Sequence, residues 1–421
     1  MQLTDQQKRM FEGEYGRGVQ RAMSLLVKLG EVFGAERMVS VDRAHILADM
    51  PADFMAEMTE GLDKVTVLTT THASFNPSEM QKLGIPTPSG NIDIGDLLTI
   101  DPEVYARRYL VFKRLGILPT FTCTPYLIGF IPRRGEVLSM IGSLGQILVN
   151  SVFGATSNRE GISAILASAV TGLTPQLNLL EEEKRLATVL VEPEDLDFAR
   201  FTSSEYGALG YCVGEIAGTS NVVLNGMPSK LSFDQCRRLL PPMAITGAVA
   251  MCHIVGVTPE APSPSVTMGG IRPKKTFKIG KQQIGHALER LNTAEQDQVD
   301  LVVIGCPHCT IEQIQTIAFM LAGKSVHANV RLLIGIAQPI YALAKMVGFV
   351  DTIEGAGGLF TSSCVSALNP VVALDDSIRV AVTDTVGPAY RLPQLSKGRT
   401  KVFFGDTEDC IMAAVKGKWR R

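Results

Sequence analysis

From about residue 299 the chain alternates short apolar runs with amphipathic segments, and this rhythm restricts its fold more than any other feature. Strands are expected at 301–305, 331–336, 378–383 and 401–404, with helices at 311–322, 339–347 and 408–415. Regular βα alternation predicts a parallel sheet with helices on both faces, because parallel neighbours require crossover connections. A chain of 421 residues exceeds what one core usually supports, so two to three packed α/β units are expected. Loop-like stretches at 259–264 and 269–275 mark one boundary. The units are drawn at 1–130, 131–275 and 276–421.

The earlier chain is read in the same way. Thr4 and Gln7 have capping-box spacing, and Val19, Met23, Leu26, Val27 and Leu29 continue a helical stripe, so one long first helix is expected. Short strands are expected at 38–41, 65–68 and 117–121, and a helix at 102–115 with Asp101 as its cap. Further capping boxes pair Ser157 with Glu160, Thr202 with Glu205, and Ser232 with Gln235. Gly207, Gly210 and Gly214 share one helical face, which predicts close backbone packing there.

Composition excludes several classes. Forty basic and 42 acidic side chains leave a net charge of -2 with no block of one sign, so neither nucleic acid nor an anionic membrane surface is an expected partner. The apolar runs are strand-length and the first residues are polar, which predicts a soluble, cytoplasmic protein. Eight cysteines are too sparse for a disulfide framework and are expected as thiols, metal ligands or catalytic groups.

Three of them fall where open sheets bind ligands, beyond the carboxyl ends of strands. Cys123 follows the strand expected at 117–121, Cys306 follows 301–305, and Cys364 follows the apolar pair Leu359 and Phe360. Three thiolates from separate loops suit an iron–sulfur cluster, and an iron left without a cysteine is a Lewis acid for a departing hydroxyl. Buried cysteine also serves as a small hydrophobe, and on sequence alone that reading weighs about as much for these three. Cys212, Cys236, Cys252 and Cys410 fit it better. Cys309 makes a CxxC pair with Cys306, a moderate sign of metal or redox chemistry, and His308 between them admits zinc as a minority reading. A thiol enzyme with Cys306 as nucleophile is weaker still.

Other candidates lie nearby. Asn158, Arg159 and Glu160 are placed in the first turn of a capped helix, where free N–H groups favour an anion and Arg159 suits a substrate carboxylate. Thr70, Thr71, Ser74 and Asn76, with Thr69, form a polar run after the strand at 65–68 and are candidates for substrate binding. His308 is a candidate either to donate to a leaving hydroxyl or to orient a sulfur. His45 carries low weight. The glycines at 355–358 lack the spacing of a dinucleotide loop, which argues against NAD.

Several segments, in order, carry a family resemblance: Glu12-Gly13-Glu14-Tyr15-Gly16, Thr122-Cys123-Thr124-Pro125-Tyr126-Leu127, Asn150-Ser151-Val152-Phe153-Gly154-Ala155, Asn158-Arg159-Glu160-Gly161, Tyr206-Gly207-Ala208-Leu209-Gly210-Tyr211, Gly256-Val257-Thr258-Pro259-Glu260 and Gly305-Cys306-Pro307-His308. Together they resemble the large subunit of aconitase X, to at least residue 310 and more weakly beyond. The resemblance implies an aconitase-like fold, dehydratase activity, and a cluster of two or four irons held by Cys123, Cys306 and Cys364, with Cys309 an alternative ligand. It also implies a small swivelling subunit that supplies a serine base, for which this chain has no spare segment. The implied substrates are cis-3-hydroxy-L-proline, taken first, and mevalonate 5-phosphate. A non-catalytic iron–sulfur or small-acid-binding protein is the other reading. The chain departs from the family pattern at 43–48, 140–146 and 384–387, where serines and a lysine are expected.

Overall fold

The computed structural model describes residues 1–73, 79, 102–365, 372 and 375–419. Three parallel sheets organise it. The first contains β2 (Arg43–Ile46), β3 (Leu68–Thr71), β4 (Val137–Met140) and β5 (Thr156–Ser157) in the order β3-β2-β4-β5. Beside it β1 (Met38–Ser40) and β6 (Leu173–Pro175) form an antiparallel pair. The second holds β7 (Val189–Pro193), β8 (Val222–Leu224), β9 (Cys252–Ile254) and β10 (Lys275–Ile279), ordered β10-β7-β8-β9. The third holds β11 (Leu301–Cys309), β12 (Arg331–Ile336), β13 (Gly358–Thr361), β14 (Val380–Thr383) and β15 (Lys401–Phe404), ordered β13-β12-β11-β14-β15. All ladders in these three sheets are parallel, as the alternation requires. The third sheet also follows the expected strands closely. β10 pairs with β7, so the second sheet extends past residue 275.

Capping boxes at Thr4, Thr202 and Ser232 form as expected. The first helix, however, is two: Asp5–Glu12 and Arg17–Phe33, separated where Gly13 and Gly16 take φ of 93° and 95°. Two of the three aligned glycines bring helices together, while Gly207 packs on Phe404 and Val386. A Cβ at Gly210 would lie 2.0 Å from the Leu239 carbonyl oxygen and one at Gly214 2.1 Å from Thr246 Oγ1, so Ser203–Ala217 packs backbone-close on Phe233–Thr246. Gly358 fills against Ile353, a packing role for the 355–358 glycines.

Three expectations fail locally. The strand expected at 65–68 begins at Leu68 and runs on through the threonines, whose β-branched side chains favour extended backbone. The stretch 117–121 is not a regular strand. Pro119 has no N–H for a ladder, and only a bridge between Thr70 and Leu118 forms. Finally, Ser157 does not cap a helix. It lies in β5, and the next helix, Ile162–Thr171, starts after Gly161. Asp101 lies outside the described residues.

Among the described residues no helix is long and apolar enough to cross a membrane.

Candidate active site

The site is assembled on β11. Ile304 pairs with Ile334 and Cys309 with Ile336, so residues 305–308 stand opposite Gly335 alone and bulge from the ladder. Cys306 therefore sits inside an irregular strand that continues to Cys309, not after its end. Two glycines make the bulge possible. Gly305 has φ of 97°, and a Cβ on it would lie 2.5 Å from the Gly335 carbonyl oxygen.

The bulge delivers His308 to the Cys123 loop. The His308 backbone N–H donates to Cys123 Sγ at 3.3 Å. Its Nε2 lies 3.1 Å from the Ser363 carbonyl oxygen, which can only accept, so the ring proton is on Nε2. Nδ1 then accepts from Thr122 Oγ1 at 3.2 Å. Burial lowers the His308 pKa to about 4 and keeps the ring neutral, consistent with that tautomer. One histidine thus touches the residue before Cys123, the sulfur of Cys123 and the residue before Cys364.

Charge on either of the other two thiols reaches Cys123. Burial pushes the Cys123 pKa up, and negative charge on Cys364 and Cys306 pushes it further, partly offset by the His308 N–H and Arg237. Arg237 donates to the carbonyls of His308 and Pro307 and to Gln313 Oε1, bracing the bulge from the second sheet's side. No disulfide links any cysteine. Cys309 is different: it packs with Val302, Ile304 and Ile334, while Cys306 belongs with Leu301, Val303 and Leu333. The groups acting on Cys309 are Asp384, Arg237, Arg238 and Asp234, and burial raises its pKa to about 12.

Two further contacts bind the rim. Glu79 accepts hydrogen bonds from Thr361, Ser362 and Ser363, the three residues before Cys364. His45, inside β2, places Nδ1 2.8 Å from Thr70 Oγ1, and its ring meets His72 edge-on at 5.7 Å between centroids. Two of the departures from the family pattern meet here, because His45 pairs with Met140 across β2 and β4 and a Cβ on Gly142 would press on His72 at 3.0 Å. The third departure, 384–387, lines a small void that also reaches Cys306, with Asp384 buried against Arg238 and Thr407.

The other candidates from sequence are committed locally. Asn158 Nδ2 donates to the Leu177 carbonyl and its Oδ1 accepts from Leu179 N, while Glu160 accepts from Ser139 and Thr174. They form a loop brace, which corrects the expected helix start and removes its anion-binding N–H groups. Arg159 is exposed and reaches the carbonyls of Ala244 and Val249. Thr70 and Thr71 are buried ladder residues, not loop. Thr71 Oγ1 accepts from Phe121 N at 3.1 Å, so it steers the segment leading to Cys123. Ser74 and Asn76 lie outside the described residues. Sequence reasoning missed Thr122, Ser363, Glu79, His72 and Arg237. The first two carried a signal, as polar neighbours of cysteines at strand ends. The rest gave none.

Among the described residues no group of three or more His, Cys, Asp or Glu side chains is close enough to hold a single metal ion. A cleft of about 450 Å³ beside Arg238, lined also by Ser203, Phe233, Asp234, Thr310 and Gln313, touches none of the three cysteines. A smaller void shares Arg238 with it and reaches Cys306.

Loops of the first and third parallel sheets meet at one buried, cysteine-bearing site, the arrangement of an α/β enzyme. Models of the first, second and third aconitase X domains match residues 1–183, 187–289 and 299–416. The chain belongs to the aconitase X family of dehydratases. It is 34% identical to the phosphomevalonate dehydratase large subunit of Methanocaldococcus jannaschii, over 98% of this chain and 99% of that one. It is 30% identical to the cis-3-hydroxy-L-proline dehydratase of Pseudomonas aeruginosa, over 97% of this chain and 69% of that one. Its fold is that of Thermococcus kodakaraensis aconitase X in its holo-form, with a TM-score of 0.79, 27% identity, and coverage of 98% and 100%.

Proposed function

We propose that the chain is the cluster-bearing large subunit of a hydro-lyase acting on a small hydroxy acid, with cis-3-hydroxy-L-proline the first substrate to test. The observation that carries this is the His308 bridge: two residues after Cys306, it meets the Cys123 sulfur through its N–H and the residue before Cys364 through its ring, with no disulfide among these buried or half-buried thiols. Such thiols resist ionisation together unless a cation shares the site. A cluster is wider than an ion, so its cysteines need not converge on one point, and this set fits an iron–sulfur group of two or four irons. When bound, the group supplies Lewis acidity at an iron not held by cysteine.

The chain's own residues supply order. His308 holds two ligand loops and directs a backbone N–H at one sulfur, so of its two candidate roles we assign it the orienting one. Burial excludes bulk water from Cys123 and Cys306. The proton-abstracting group is assigned to a small partner subunit with a serine base, a reading supported by the end-to-end match to a relative named as a large subunit. Arg159, exposed and held by the Ala244 and Val249 carbonyls, is assigned to a substrate carboxylate. Unbridged cysteines fit a reducing, cytoplasmic setting.

A second substrate, mevalonate 5-phosphate, is favoured by the same end-to-end match. Against it, Arg237, the cation acting on Cys123, already donates to His308, Pro307 and Gln313 and is not offered to a phosphate. The test measures iron and acid-labile sulfide per anaerobically purified chain, in wild type and in Cys123→Ala, Cys306→Ala and Cys364→Ala. Both should fall with each change. Adding the small subunit and each acid in turn then reads water loss. Wild type without iron or sulfide after reconstitution overturns the cluster, and binding without turnover identifies a non-catalytic member.

A further inference from the structure

We propose that Glu79 is a positioning residue that sets the Cys364 loop, and with it the readiness of that thiol to serve as a ligand. The inference rests on the assignment of Cys364 just made but deepens it by naming what holds the loop. Glu79 Oε2 accepts from Thr361 Oγ1 at 2.8 Å, Ser362 N at 3.0 Å and Ser363 Oγ at 3.2 Å, and Oε1 accepts from Ser362 Oγ at 2.7 Å. One carboxylate therefore gathers donors from three consecutive residues, using most of its acceptor capacity. Those residues come from the end of β13 in the third sheet, whereas Glu79 follows β3 in the first. The bond set crosses the joint between two units at the residue before a candidate ligand.

The charge of Glu79 also bears on the segment before the other ligand loop. It acts on Tyr105, whose ring stacks on Phe121 at 5.8 Å, two residues before Cys123. His308 holds the same Ser363 from the opposite direction, through the carbonyl. Cys364 is only half-buried, so loop restraint, more than burial, governs its access. Charge-assisted bonds of this kind are the strong ones, and four on one loop leave it little freedom.

The donor pattern predicts which replacement works. Ser362 N–H can only donate, so it needs an oxygen at the Oε2 position, whereas Ser362 Oγ at Oε1 can also accept. Glutamine meets both demands with its oxygen at one place and its NH2 at the other. Alanine meets neither.

The experiment reads iodoacetamide labelling of each cysteine in the metal-stripped full chain by mass spectrometry. Glu79→Ala should label Cys364 on the order of tenfold faster, as expected for losing roughly one strong hydrogen bond of restraint. Cys123 and Cys306 should keep their wild-type rates, and Glu79→Gln should stay near wild type at all three. Should Glu79→Ala fail to fold, Ser362→Ala removes donors from the other partner and should move Cys364 in the same direction. In reconstituted protein, Glu79→Ala should also lose iron to a chelator faster than Glu79→Gln. An unchanged Cys364 rate in the folded variants, or an equal rise at all three cysteines, overturns the proposal. Wild type that takes up no iron sinks the cluster reading, while the labelling result still decides the role of Glu79.

Discussion

The backbone N–H of His308 donates to the sulfur of Cys123 across 3.3 Å, although 185 residues separate them in sequence. The same residue's ring spans Thr122 and Ser363, so three loops from two sheets share one neutral imidazole. Because the ring is fully buried, its loss removes two hydrogen bonds and leaves a cavity in one step.

His308→Ala is expected to lower stability by roughly 3 kcal/mol, from the cavity and the loss of the ring's bonds to the Thr122 hydroxyl and the Ser363 carbonyl. Urea unfolding monitored by circular dichroism measures this. A loss below about 1 kcal/mol would show that the loops hold without the ring.

Gly210→Ala should cost at least about 2 kcal/mol, because a methyl 2.0 Å from the Leu239 carbonyl oxygen forces two helices apart. Gly285→Ala, in the helix Lys281–Leu291 with open space around it, should instead gain about 0.5–1 kcal/mol from helix propensity. Thermal unfolding of the two variants should move in opposite directions.

Glu160 is half-buried, and desolvation raises its pKa above the ordinary 4.5 despite the Ser139 and Thr174 hydroxyls. Its folded state therefore prefers the proton. That stability is complete below the unfolded pKa and is lost as pH rises through the folded one. Glu160→Gln should stabilise the protein at neutral pH and give no gain in acid. A gain independent of pH would refute the desolvation argument.

Arg185 grips Glu260 with two nitrogens, Nε at 2.9 Å, and also reaches Asn150 Oδ1 and the Leu179 carbonyl. A lysine cannot reproduce the fork. Arg185→Lys is expected to cost about 2–3 kcal/mol, and denaturant midpoints would show whether the joint between the first two units depends on it.

The sequence by itself determined the parallel third sheet, three of the helix starts, the glycine seam at 210 and 214, and the three cysteines worth testing. These are legible because periodicity, caps and strand ends are local properties, written within a few residues of one another. The tertiary structure alone decided what those cysteines meet. Ser157 and Glu160 have the spacing of a capping box, yet Glu160 turns to Ser139 and Thr174 because a neighbouring strand offers it better partners. Thr70 and Thr71 read as a polar loop until His45 and the segment before Cys123 are packed on them. Cys306 and Cys309 read as a pair, yet the bulge opposite Gly335 sends them into different layers. Glu79 gave no signal at all, since its partners lie 282 to 284 residues away and only folding brings donors and acceptor together.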